Sequence, residues 1–364
     1  MQDLRSSSYA VIIAGGKGER FWPQSRVSHP KQLLRLLGNI SLIEQTVERL
    51  HMTFEYDHIF IITTQDYVAP IQSMLSKLPQ GNVISEPCGR DTAPCIMLAA
   101  ACIKKIAGKD VDPVLSFFPS DHIIRDAETF SARLSECMQY AAENAGIAII
   151  GIRPTFPCTG YGYIRTGEQI AGAGFYKSMQ FSEKPTLEVA EEYLKAGNYL
   201  WNSGMFIFRH STLLQVMQER IPDLYAFYNM LENNVVSGNA NALNEAYQSA
   251  EKISFDYAVM EKADNVAVAE GDFGWDDIGS WTSMRNQLLT EEGGNAVLGL
   301  HAGLDTENCV IVGEGDHLIA TIGIRDMVVV HTEDATLVCD AKSAQRVKEL
   351  VQLLASKPEM EQFL

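Results

Sequence analysis

With 364 residues, 46% of them hydrophobic and 21% charged, the chain has the composition of a globular protein with one large core and room for a smaller satellite domain. Its 46 acidic residues outnumber 29 basic ones, a formal charge of -17, which disfavours nucleic-acid and anionic-membrane partners and requires local cations or a metal for any anionic substrate. Seven cysteines without a C-x-x-C pair, no leader-like start and no apolar run of the roughly 18 residues a membrane span needs predict a reducing, cytoplasmic setting.

Tyr9 to Ala14 is a continuous apolar run, which suits a strand buried on both faces of a parallel sheet. It breaks at Gly15-Gly16, and no helical pattern returns until about Ile40. A connection that long in a compact domain is usually functional. Gly15, Gly16 and Gly18 let a bulky anion approach backbone N–H groups, Arg20, Arg26 and Lys31 supply cations, and Phe21-Trp22-Pro23 stiffens the turn. The combination reads as a triphosphate cradle. It is not a Walker A loop, because Lys17 is followed by Gly18 and not by Ser or Thr, and a dinucleotide fingerprint fails at Phe21, where a third glycine is needed.

Ser41 and Glu44 then predict a capping box, with Ile43, Val47 and Leu50 on one face of the helix it starts. His58 to Thr63 and Asn82 to Ser85 read as strands, separated by a helix over Asp66 to Lys77. Asp91 or Thr92 can cap an apolar helix running to about Ile106, whose Cys95 and Cys102 share a face and read as core thiols. This alternation predicts a right-handed, mostly parallel sheet. The next strand, Val114 to Phe118, ends in Pro119-Ser120-Asp121-His122, where an open α/β sheet places its ligand crevice; a turn or cap role is the competing reading of Asp121.

A helix over Glu128 to Glu143 and a strand over Ile147 to Ile152 complete the regular pattern. Strand-like stretches at Gly160 to Arg165 and Gly174 to Phe181 suggest added antiparallel strands, and a helix over Leu187 to Ala196 follows. Trp201-Asn202-Ser203-Gly204-Met205 opens a strand at Phe206 to Arg209. Helices are expected over Ser211 to Leu231, broken at Pro222, over Asn241 to Ala250 and over Ile253 to Lys262. A strand at Asn265 to Ala269 leads to Gly274-Trp275-Asp276-Asp277-Ile278-Gly279. From Gly294 short β-type runs alternate with turns before a closing helix at Ala344 to Leu354, without a regular repeat. Residues 1–290 and 291–364 therefore read as a catalytic domain and a small β-rich domain.

Taken together, G-G-x-G-x-R with P-K, G-R-D-T-A-P, F-P-S-D-H, G-Y-G-Y-I, S-E-K-P, W-N-S-G-M-F and G-W-D-D-I-G-S-W resemble, in order, the motifs of the nucleotide-diphosphate-sugar pyrophosphorylases. Trp22-Pro23, Ser25-Arg26 and Pro30-Lys31-Gln32 are similar to the mannose-1-phosphate guanylyltransferase branch. The resemblance implies an α/β nucleotide-diphospho-sugar transferase fold, a Rossmann-like mixed, mostly parallel sheet flanked by helices, with a small C-terminal β domain. It implies transfer of GMP from GTP to mannose 1-phosphate, with Mg²⁺. By the same similarity Gly15, Gly16, Gly18, Arg90 and Asp91 bind the nucleotide, and Arg20 and Lys31 meet the charge that develops in the reaction. Gly162, Glu183, Lys184 and Asn202 bind the sugar phosphate, and Asp121 and Asp277 bind the metal, with Asp276 the competitor of the latter. A homodimer and a single activity, without the isomerase domain some relatives carry, are expected. A guanylyltransferase for another sugar phosphate and a catalytically silent nucleotide-sugar sensor are the alternatives; intact Arg20, Lys31, Asp121 and Asp277 disfavour the second.

Overall fold

The computed structural model describes residues 2–170 and 174–364. By compactness they fall into two units, one of residues up to 15, 46–120 and 124–275, the other of 16–45, 121–123 and 276–364. This differs from the change in texture near residue 290. Phe21, Trp22, Leu34, Leu36 and Leu42 share one buried cluster with Val310, Val328, Val330 and Val347, so the N-terminal loop belongs with the C-terminal β region. Burial of large aromatic and aliphatic side chains decides that membership.

Helix α1 (Gln2–Ser6) leads into β1 (Ser8–Ile13), which is buried at every position but its last. Along the chain follow α2 (Leu42–His51), β2 (Ile59–Thr64), α3 (Gln65–Met74), β3 (Val83–Glu86), α4 (Thr92–Ala107), β4 (Val114–Pro119) and the two-residue β5 (Ile123–Ile124). Then come α5 (Ala127–Glu143), β6 (Ile147–Ile152), β7 (Tyr163–Ile170), β8 (Phe175–Ser182), α6 (Leu187–Ala196) and β9 (Tyr199–Arg209). Helices α7 (His210–Arg220), α8 (Pro222–Ser237) and α9 (Ala240–Gln248) precede β10 (Val266–Gly271) and the two-residue β11 (Trp275–Asp276). The predicted capping box is formed: Ser41 N donates to Glu44 Oε2 at 2.7 Å, and Glu44 N to Ser41 Oγ at 3.3 Å.

The first unit is built on one sheet of the described residues, in the order β3-β2-β1-β4-β9-β6-β10-β8-β7. Strands β1, β2, β3, β4, β6, β7 and β10 run one way and β8 and β9 run against them, a mixed, mostly parallel sheet. Two local elements differ from expectation. Strand β9 starts at Tyr199, not Phe206, so the Trp201-Asn202-Ser203-Gly204 motif lies inside a strand. There its register with β6 shifts between Ile149 and Gly151, and Gly204 takes φ +69°, a bulge of the kind that re-aims side chains. The helix expected over Ile253 to Lys262 is instead a π-helical turn, Asp256–Met260. Such turns recur at functional positions.

In the second unit, β12 (Leu289–Glu291), β13 (Asn295–Leu298), β14 (Leu300–Leu304), β15 (Val310–Val312), β16 (Leu318–Ile322), β17 (Met327–His331) and β18 (Thr336–Asp340) form two stacks. Strands β13, β15 and β17 are parallel, with Ala296 beside Val310 and Val310 beside Val328. The steps are therefore 14 and 18 residues (310 minus 296, 328 minus 310), too uneven to read as a repeat from the sequence. Strands β14 and β16 pair in parallel as a second, two-stranded sheet. The antiparallel β12 and β18 flank the first stack, and α10 (Val347–Ala355) packs on the apolar cluster through Val347, Leu350, Val351 and Leu354.

Candidate active site

Two clusters of polar side chains stand out, one in each unit. The first is organised by the glycine-rich loop. Gly18 takes φ +65°, and a Cβ there would lie 2.2 Å from the Cβ of Lys31, so this position admits only glycine. Ser25 Oγ donates to the Gly18 carbonyl at 2.8 Å and closes the turn. Phe21 and Trp22 anchor it below: the Phe21 ring lies 5.0 Å from that of Trp281, whose Nε1 donates to the Trp22 carbonyl at 3.0 Å. The loop is thus held by packing as well as by hydrogen bonds.

Above this floor, Arg20, Lys31, Asp121, His122, Asp277 and Lys348 line a cleft of about 280 Å³. The side chain of Lys31 is only 7% exposed, and its Nζ lies 2.7 Å from Asp121 Oδ2 and donates to the Asp277 carbonyl at 2.8 Å. Burial alone would raise the Asp121 carboxyl, but the Lys31 and His122 charges and the Lys31 hydrogen bond outweigh it and hold the group below the usual carboxylate range. Arg20 Nη1 donates to the Gly279 carbonyl at 3.4 Å. Asp276 is committed locally, since its Oδ1 accepts from Ile278 N and its Oδ2 from Gln287 Nε2, each at 2.9 Å. Asp277, not Asp276, is among the residues that line the cleft.

The second cluster gathers Gly162, Glu183, Lys184 and Asn202. A Cβ on Gly162 would lie 2.4 Å from Glu183 Oε2, so the missing side chain makes room for that carboxylate. Glu183 Oε1 pairs with Lys184 Nζ at 2.6 Å, and Lys184 holds a left-handed backbone with φ +47°. Burial lowers the Lys184 ammonium, but the hydrogen bond and charge of Glu183 outweigh it and raise the group. The Asn202 backbone N–H donates to the Gly162 carbonyl at 2.8 Å, tying the two motifs together. A residue the sequence reading did not single out completes the group: Asp256 Oδ1 accepts from Asn202 Nδ2 at 2.6 Å. Burial and the Glu183 carboxylate push Asp256 up to about 6, against the pull of the Asn202 amide and of Lys184.

Residues 9–293 match the family model described as nucleotidyl transferase. The chain belongs to the nucleotidyl transferase family. Residues 299–354 match a second model, the MannoseP isomerase/GMP-like beta-helix domain, which agrees with the parallel stacks β13-β15-β17 and β14-β16. The chain is 38% identical over 357 residues to the mannose-1-phosphate guanylyltransferase of Escherichia coli K12, covering 96% of this chain and 73% of that one. A mannose-1-phosphate guanylyltransferase of Salmonella montevideo is also 38% identical, over 94% and 73% of the two chains. Among solved structures, one described as mannose-1-phosphate geranyltransferase from Thermus thermophilus superposes with a TM-score of 0.86 at 34% identity, over 96% of this chain and 99% of that one.

In this nucleotidyl transferase the remaining nucleotide candidates, Gly16 excepted, belong to the first unit. Gly15 sits beside Glu86, whose Oε1 would be 2.9 Å from an added Cβ, whereas Gly16 has open space around it. Asp91, at φ 68°, caps α4 by accepting from Thr92 N at 2.8 Å, and Arg90 donates to the Gln248 carbonyl. Buried Glu86 is raised by desolvation although Tyr247 Oη donates to it at 2.8 Å. Lys348 was not legible as a site residue. It stands 317 positions after Lys31 (348 minus 31), within an amphipathic helix, where an exposed lysine ordinarily faces solvent.

Proposed function

We propose that the chain transfers the GMP group of GTP to α-D-mannose 1-phosphate, giving GDP-mannose and diphosphate. The reading is carried by 38% identity along nearly the whole chain to proteins named mannose-1-phosphate guanylyltransferase. The two clusters have chemistry suited to it. A phosphate oxygen of the sugar phosphate would bond to the α-phosphorus of GTP, and the bond from that phosphorus to the bridging oxygen would break, its electron pair leaving on diphosphate. The nucleophile is already anionic near neutral pH, so no general base is required. The barrier lies in bringing two polyanions together and aligning them.

In this reading the backbone of Gly15, Gly16 and Gly18 holds the nucleotide phosphates, with Arg90 and Asp91 on the nucleotide side. Arg20 and Lys31 meet the charge on the transferred and leaving groups, and Lys31 enters the reaction already fixed by Asp121 and the Asp277 carbonyl. Glu183, an acceptor, and Asn202, with a donor to spare, match two neighbouring sugar hydroxyls, and Lys184 takes the sugar phosphate beside Gly162. Asp121 and Asp277 line one cleft and offer the hard oxygen donors that Mg²⁺ takes together with phosphate oxygens and water, so these two residues would hold the ion. When bound, Mg²⁺ would offset the repulsion between the two substrates.

A cytoplasmic homodimer completes the proposal. Leu300, Leu304, Leu318 and Ile322 are each more than half exposed, and Leu300 is in register with Leu318 and Leu304 with Ile322. Such an apolar stripe suits an isologous contact with the same face of a second copy. The test of the activity is diphosphate release over a matrix of nucleoside triphosphates and sugar 1-phosphates. GTP with mannose 1-phosphate should be the fastest pair. A faster pair would replace the substrates named here, and release from no pair would overturn the reading.

A further inference from the structure

We propose that Asp256 is a positioning residue for sugar recognition, acting by fixing the orientation of the Asn202 carboxamide. The inference rests on the sugar-binding reading of Asn202 given above and adds to it how that side chain is made selective. An amide presents a donor on one side and an acceptor on the other, and a half-turn exchanges them. Here both sides are specified. Gly204 N–H donates to Asn202 Oδ1 at 2.9 Å, and Asn202 Nδ2 donates to Asp256 Oδ1 at 2.6 Å. A backbone N–H can only donate and a carboxylate can only accept, so only one of the two amide orientations satisfies both partners. One Nδ2 hydrogen remains for an acceptor oxygen of the ligand.

The elements behind this arrangement are irregular ones. Asn202 and Gly204 lie in the β9 bulge, where the register with β6 shifts and Gly204 needs its left-handed conformation to aim its N–H back at Oδ1. Asp256 opens the π-helical turn that closes when Glu261 N donates to the Asp256 carbonyl at 2.9 Å. The expense of a bulge, a π turn and a half-buried carboxylate around one amide is explained if the amide must present its donor. With Glu183 as the neighbouring acceptor, the subsite then offers one donor and one acceptor at fixed positions, to which hydroxyls correctly placed on a sugar can turn.

The experiment compares wild type, Asp256→Ala and Asp256→Asn. Asparagine keeps a carbonyl acceptor for Asn202, whereas alanine removes it. Affinity for mannose 1-phosphate is measured by calorimetry, and KM for each substrate and kcat by diphosphate release, with circular dichroism and the KM for GTP reporting on the fold. The expected result for Asp256→Ala is a loss of about tenfold in mannose 1-phosphate affinity with the KM for GTP unchanged, and for Asp256→Asn recovery of most of that loss. Equal affinity in wild type and Asp256→Ala overturns the proposal, as does an equal loss in both variants. Mannose 1-phosphate bound normally by wild type without any GDP-mannose formed would refute the activity proposed above and leave this inference standing; no binding by wild type would overturn both.

Discussion

Lys31 and Asp121 form a close ion pair, 2.7 Å from Nζ to Oδ2, in which the lysine is nearly buried and the aspartate about one-third exposed. Removing either partner leaves the other charge poorly compensated, so the two substitutions should not be independent. We expect Lys31→Ala and Arg20→Ala each to lower kcat by roughly 100-fold or more with circular dichroism unchanged, since these cations act most strongly on charge formed in the transition state. A double-mutant cycle of Lys31→Ala with Asp121→Asn should show coupling. Lys31→Met with undiminished turnover at saturating substrate would remove its assigned role.

The metal proposal separates three neighbouring carboxylates. Asp121→Asn and Asp277→Asn should each abolish nearly all turnover, whereas Asp276→Asn, whose Oδ1 can still accept from Ile278 N, should be milder. Titration with a chelator and back-titration with Mg²⁺ checks the requirement directly. Full activity in excess chelator, or a greater loss at Asp276 than at Asp277, would contradict the assignment.

Lys348 lines the same cleft as Lys31 and is 55% exposed at its side chain. If this cleft takes the triphosphate as proposed, an exposed cation there should act on binding more than on chemistry. Lys348→Ala is expected to raise the KM for GTP by about threefold to tenfold, with the effect fading at high salt, and to leave kcat nearly unchanged. Steady-state kinetics at two ionic strengths decides it.

Asp256 also predicts a pH signature. Protonation near pH 6 would leave Asn202 a carbonyl acceptor but remove the charge that strengthens the bond, so mannose 1-phosphate affinity should fall, by less than in Asp256→Ala, as pH drops through that region. Glu183, Lys184 and Asn202 surround the group and set its titration. Stability should run the other way. Because the acid is weaker in the fold than in the unfolded chain, where it lies near about 4, its contribution is largest below that value and is lost as pH rises through about 6. Asp256→Asn should flatten both slopes. The second ionisation of the sugar phosphate is common to both proteins, so the difference between their profiles is the quantity to read.

A dimer through the exposed stripe should dissociate when Leu304 and Ile322 are both changed to Asp. Light scattering reads the mass. An unchanged mass in the double variant would remove this face as the contact, and a monomeric wild type would remove the dimer.

The regular parts of the sheet were legible because their signals are local: the apolar runs of β1, β4 and β6 match buried strands to within a residue. The glycine motif was legible for the same reason. Gly18 and Lys31 stand 13 positions apart (31 minus 18) in one loop, and glycine is demanded at the first because a Cβ there would lie 2.2 Å from the Cβ of Lys31. What escaped was set by distant partners. Asp256 lies in a stretch whose apolar spacing suggests an ordinary helix, and its hydrogen bond to Asn202 spans 54 positions (256 minus 202). The uneven coils of the β region hid their stacking, because steps of 14 and 18 residues share no period.

The antiparallel strands at either side of the β13-β15-β17 stack have a further consequence. A run of parallel rungs offers its last strand as a template for another rung, from the same chain or a neighbour, and could in principle grow into a fibre. Here β12 on one side and β18 on the other run against the stack. Each is short, three residues in β12 and five in β18, and β18 ends in Asp340. A further parallel rung would meet a strand of reversed direction and little length. The β13-β15-β17 stack is therefore finite by construction, closed at both ends by strands that a further parallel rung could not extend in kind.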